Sequence, residues 1–344
     1  MYCIKRFKMT SLLILLAGSL SAQQFNSPVE YLQFMNQESD AITKEMWSYV
    51  KAAAHSGNAR KIDKRRTALI ETIYSAQRRV SKAPGYKGDF NYRNALTNYY
   101  RMTYNIMKED FGKIVDMEAI AEQSYDLMEA YITAKEEAHK KLDETQDELI
   151  NQQEIFANTY QIKLISSTDK KTEKLNKASK AFNYYNQVYL IFFKSYKQDM
   201  YLQEALASNN LGTIEQNKTA LSSLAAEGLA KLDTFPRYGT DISIKLAAQN
   251  LLKFFQEEAD KHMPLIMNYY LSKEQFEKTK AAFDAKRQSD RTKQDIDGFN
   301  KAVDDYNKSV STYNTLSANL FKQKSDLLNR WNKASEQFFS VHVP

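Results

Sequence analysis

Residues 183–202, NYYNQVYLIFFKSYKQDMYL, constrain this chain more than any other stretch. Placed on a helical wheel, Tyr184, Tyr185, Val188, Tyr189, Leu190, Ile191, Phe192, Phe193, Tyr196, Met200, Tyr201 and Leu202 cover nearly every side. A helix apolar all round has to be buried on all sides. The stretch is therefore the predicted central helix, around which other helices pack.

The rest of the chain agrees with a helical body. With 9 Gly and 5 Pro in 344 residues and 43% hydrophobic content, it has a large potential core and too few turn formers for a many-stranded sheet. The expected fold is all-α: an elongated bundle of long helices with antiparallel coiled-coil hairpin arms.

The first 22 residues have a basic opening, an apolar run SLLILLA (11–17) and a small-residue end. That is the tripartite form of a secretory signal peptide, with cleavage expected after Ala22. The apolar run is far below the roughly 20 residues that a membrane span needs, and no later segment reaches that length. Cys3 is the only cysteine, and it precedes the apolar run. A mature chain over 23–344 would thus have no disulfide, thiolate metal site or thiol nucleophile. These features predict export, to the cell surface, the periplasm or the extracellular space. Without Lys5, Arg6 and Lys8 the formal charge falls from +6 to +3, too balanced to suggest nucleic-acid binding.

Ser27-Pro28-Val29-Glu30 is a capping-box pattern that opens a first helix, which Ser56-Gly57-Asn58 ends. Further helices are expected over 58–82, from about 90 to 111, and from a cap at Asp116 to about 160. The central helix follows, then one to about 233, one over 242–287 kinked at Pro264, and one to about 339. Residues 135–154 and 169–180 are mostly polar, and together they predict a coiled-coil arm at 138–182, about 30 Å long at 1.5 Å per residue. In the last helix Phe299, Val303, Tyr306, Val310, Tyr313, Leu320, Leu327, Trp331, Ala334 and Phe338 form a four-three seam, interrupted by Ser317 and Lys324.

A shift of 152 residues aligns the two halves without gaps over 58–115. Asn58 meets Asn210, Thr67-Ala68-Leu69 meets Thr219-Ala220-Leu221, and Pro84, Tyr86 and Asp89 meet Pro236, Tyr238 and Asp241. This predicts two pseudo-repeats, about 27–160 and 168–341, within one domain.

No constellation amounts to a reaction. Glu136 and His139 have one bundle-metal spacing, but no second His has a Glu three residues before it. Zinc, haem, phosphate-loop and nucleophile-elbow motifs are missing, as is the His-x-x-Glu signature of imelysin-like proteins. Accordingly no catalytic, cofactor-binding or metal residue is assigned. Glu118, Glu122, Asp126 and Glu129 form an acidic stripe at 118–129, the place for a ligand-binding or enzymatic site if the bundle has one. Solvation is its plainer reading. Arg60, Lys61, Lys64, Arg65 and Arg66 could hold anionic lipid or polysaccharide, although an exposed face paired with acids explains them as well. Trp47 and Trp331 are expected core anchors.

The stretches AAAHSGNARKIDKRR (52–66), MEAIAEQSYDLMEAY (117–131), YYNQVYLIFFKSYKQ (184–198) and FNKAVDDYNK (299–308) together resemble a family of uncharacterised bacterial surface proteins. That resemblance implies an exported helical protein at the cell envelope, with a protein or envelope component as partner. It supplies no site residues. The expected function is therefore non-enzymatic interaction or structure at the envelope.

Overall fold

The computed structural model describes residues 25–56, 58–110, 120–164 and 170–344. Among them the fold is all-α, with long helices packed against one another and no strand. The signal-peptide segment, Asp116, Met117, Glu118 and the residues 165–167 of the expected arm tip lie outside the described residues.

The helices are α1 (Pro28–Asn36), α2 (Ser39–His55), α3 (Ala59–Lys82), α4 (Asn91–Asn105), α5 (Tyr125–Thr159), α6 (Lys170–Ser208), α7 (Leu211–Thr234), α8 (Ser243–Glu257), α9 (Met263–Asp284) and α10 (Lys293–His342). A π-helical turn follows α4 at Ile106–Asp110, and another joins α8 to α9 at Glu258–His262.

The central helix lies where the sequence puts it. Within α6, Tyr184, Val188, Phe192, Phe193 and Leu202 are buried, and α6 packs on α2, α5, α7, α8 and α10. Its wheel is not wholly covered, because Met200 and Tyr201 are exposed.

Several boundaries differ from expectation. Ser27 caps α1 through its Oγ, which accepts from the Glu30 N–H at 3.1 Å, but the Glu30 carboxylate accepts from the Asn26 N–H instead of closing a capping box. The expected first helix is broken at Gln37 and Glu38 into α1 and α2. Helix α5 begins at Tyr125, capped by the Ser124 hydroxyl. The long helix expected over 242–287 is α8, a π turn and α9, with Pro264 in the first turn of α9. There the missing proline N–H breaks no helical bond.

The polar arm is misplaced in the sequence reading. One face of α5 points inward, but it packs chiefly on α4: Ala138 and Phe156 are buried in the first core, with Leu142 and Leu149 against it. Ala178 and Ala181 of α6 belong to a different core. The described residues of 138–164 and 170–182 thus pack along one side on different cores, rather than chiefly on each other. The arm is formed instead by α9 and α10, where no residue between Leu271 and Asn319 is buried. The 14 residues of α9 beyond Tyr270 extend it by about 20 Å. Rings line its inner seam: Phe283 stacks on Phe299 at 4.5 Å, Phe276 on Tyr306 at 4.9 Å and Tyr269 on Tyr313 at 4.4 Å. Arg291 closes the tip 4.2 Å over Phe283. Asn300, Asn307 and Asn314 flank this seam in solvent.

Residues 58–110 and 210–262 share their element bounds at the 152-residue offset. Bounds of α3 and α7, of α4 and α8, and of the two π turns all match. Asn58 and Asn210 cap α3 and α7 in the same way, accepting from the N–H three residues on at 3.1 and 3.0 Å. Tyr86 and Asp89 form an isolated bridge, as do Tyr238 and Asp241. Left-handed backbone recurs inside both turns, at Lys87 (φ 49°) and Gly239 (φ 60°).

Candidate functional site

Against this repeat, one cluster in the second unit has no polar counterpart in the first. Asp199 on α6 is buried, and both of its carboxylate oxygens accept from the Lys324 ammonium on α10 at 2.7 Å. Glu258, the first residue of the second π turn, is 1% exposed, and its Oε1 lies 3.3 Å from the same ammonium. The Gln203 side-chain amide donates to Asp199 at 3.2 Å and to Glu258 at 3.4 Å. The other carboxyl oxygen of Glu258, Oε2, is buried without a hydrogen-bond partner.

The first unit has apolar side chains at the corresponding positions. Glu258 corresponds to Ile106 at the 152-residue offset. In α6 the buried Tyr184 and Val188 match Tyr31 and Met35 one position further, which pairs Asp199 with Met46 and Gln203 with Val50. In the last helix Phe338 and His342 match Phe156 and Tyr160 at an offset of 182, which pairs Lys324 with Leu142. Met46, Ile106 and Leu142 share one core. At these sequence offsets the first unit carries no charged residue. A buried ion pair is a poor source of stability compared with apolar residues of similar volume, so its presence in one unit alone calls for another reason.

The electrostatics follow from the burial. Removal from water, and then the neighbouring Asp199 carboxylate, push the Glu258 carboxyl far above the ordinary range, while Lys324 pulls it back only partly. Burial and Asp199 thus favour the protonated form of Glu258, in which the Asp199–Lys324 pair carries no net charge. Lys197, two residues from Asp199, is also buried, with its ammonium 3.3 Å from the Met200 sulfur. A π turn places Glu258 here, and such turns recur at functional positions in helices.

Equivalent aromatic corners stand at the ends of the two units. Tyr86, Phe156 and Tyr160 meet in the first, with Tyr86 and Tyr160 4.9 Å apart. Tyr238, Phe338 and His342 do so in the second, with Tyr238 and His342 4.7 Å apart. There His342 Nε2 is 2.9 Å from Asp241 Oδ2. Burial pushes the Asp241 carboxyl up, but Ser243, whose N–H donates to it at 2.8 Å, and His342 outweigh that and hold its pKa below the usual value.

The residues singled out from sequence lie elsewhere. Glu122, Asp126 and Glu129 of the stripe are exposed, and Glu129 accepts from the Tyr125 hydroxyl at 3.1 Å. The described part of the stripe encloses no site. Arg60, Lys61, Lys64 and Arg65 are exposed, while Arg66 pairs with Asp63 at 2.8 Å and reaches the Met107 carbonyl. His139 is exposed on α5. Trp331 is a core anchor 4.4 Å from Phe192, whereas Trp47 is half-buried with Lys51 and Lys174 over its ring. Among the described residues no group of three or more His, Cys, Asp and Glu could hold a metal ion, and no helix is long and apolar enough to cross a membrane.

The fold defines a class, an all-α bundle of long helices packed against one another. Comparisons with protein families, curated proteins and solved structures find no match to this chain.

Proposed function

We propose that this chain is an exported, non-enzymatic protein of the bacterial cell envelope or surface, acting by interaction, and that its contact element is the α9–α10 arm. The observation that carries this reading is the absence of any buried residue from Leu271 to Asn319, while the other helices contribute to three buried clusters. The aromatic ladder stiffens the arm from within, leaving its outer face free to contact a protein or envelope component. We also infer that the units arose by internal duplication. The offset between the last helices, 182 against 152 or 153 elsewhere, supports the arm as an addition to a shared plan.

Export rests on the signal-like first 22 residues. Cell fractionation with surface protease treatment tests it: cleavage of the arm on intact cells places it at the surface, protection until the outer barrier is opened places it in the periplasm, and recovery with the cytosol overturns export. Contact with anionic lipid or polysaccharide through Arg60–Arg65 is a narrower proposal, motivated by the exposure of that face.

A further inference from the structure

We propose that Glu258 is a proton-binding site at the root of the arm, and that its proton keeps α6, the second π turn and α10 seated on one another. Three observations place it there. Glu258 opens the π turn from which α9 leaves for the arm, Lys324 lies where α10 returns from it, and both meet Asp199 on the central helix. At the corresponding sequence offsets the first unit has Met46, Ile106 and Leu142, which share one core. Glu258 Oε2 is buried with no partner, the state of an oxygen that tolerates a proton better than a charge.

The groups around Glu258 leave ionisation uncompensated. From α6 it is faced by Asp199 and Gln203, and from α10 by Lys324, whose single charge Asp199 already occupies at 2.7 Å, while the buried Lys197 of α6 turns its ammonium to the Met200 sulfur and the Tyr201 ring. On α7, which also packs on the π turn, Glu215 and Lys218 pair with each other at 2.6 Å. Beside Glu258, Glu257 at the end of α8 pairs with Lys261 of the π turn at 3.0 Å, and in the same turn Asp260 is exposed and His262 is half-buried. Losing the proton therefore leaves one net negative charge inside the joint.

The sign follows from linkage. Glu258 has its pKa raised from 4.5 to about 8 on folding, so the folded state binds the proton more tightly than the unfolded state. The stabilisation is full below the unfolded value and is lost as pH rises through the folded one. This proposal goes beyond the arm's binding role and does not depend on it.

Hydrogen exchange of the full chain, with intrinsic exchange rates divided out, tests the joint. Between pH 5.5 and 7.5 the opening constant of peptides spanning Glu258 and Lys324 should rise at least about tenfold, the limit being tenfold per pH unit for one proton. Glu258→Gln, which mimics the protonated acid, should abolish the rise. If Glu258→Gln does not fold, Asp199→Met with Glu258→Ile and Lys324→Leu imports the first unit's set, and it too should be flat with pH. A flat wild type, a rise that survives either variant, or an equal rise around Ile106 and Leu142 in the first unit overturns the proposal.

Discussion

Lys324 reaches back across 125 positions of sequence to hold both carboxylate oxygens of Asp199 at 2.7 Å, on the central helix of the molecule. At the matching places of the first unit stand Leu142 and Met46. The same helical plan is therefore built once with an ion pair and once without it, and the difference can be measured.

Removing the cation alone should be costly. Lys324→Met leaves Asp199 buried beside Glu258 with no counter-charge, and such uncompensated burial costs about 3–5 kcal/mol. Replacing all three groups by the first unit's Met, Ile and Leu should cost far less or stabilise the fold. Urea unfolding of the two variants checks this; equal losses would show that packing volume, and not charge, decides the site.

The core around the central helix offers a second test. Phe192 is buried with its ring 4.4 Å from Trp331 and 5.3 Å from Tyr189. Phe192→Ala should cost about 3–5 kcal/mol in urea unfolding. A loss below about 1 kcal/mol would move the centre of the fold elsewhere.

At the corner of the second unit, Asp241 has its pKa lowered on folding by Ser243 and His342, against the opposing effect of burial. Its contribution is present above the unfolded value of 3.8 and is lost as pH falls through the lower folded value. The stability difference between the wild type and Asp241→Asn should therefore be largest near neutral pH and shrink as the solution is acidified below about pH 4. Thermal unfolding across pH checks this, and a difference that grows with acid would contradict it.

The sequence made the helical class legible because local signals and burial agree. Too few glycines and prolines for a sheet, the all-round apolar face of 183–202 and the cap at Ser27 all lead to the elements observed. Partner choice was harder. The polar face of α5 looked like a free arm because a helix packed on one side only shows the same wheel as one leg of a coiled coil. The real arm carried the better signal, the seam through Phe299, Tyr306 and Tyr313. The buried cluster left one trace, Lys324 as a polar break in an apolar seam. Nothing in the local sequence joins it to Asp199 or Glu258, because the three come together only through tertiary packing, from separate helical segments. The acidic stripe was more visible as a run of like residues, yet its described members face solvent.

The arm as contact element is tested most directly by trimming it. Residues 273–310 would be replaced by a short turn, and the trimmed and full-length chains used side by side to capture partners from envelope extract. The body should unfold at nearly the same urea concentration as before, since no residue from Leu271 to Asn319 is buried. The expected result is loss of the captured partners from an otherwise folded protein; an unchanged set of partners on the trimmed chain would contradict the account.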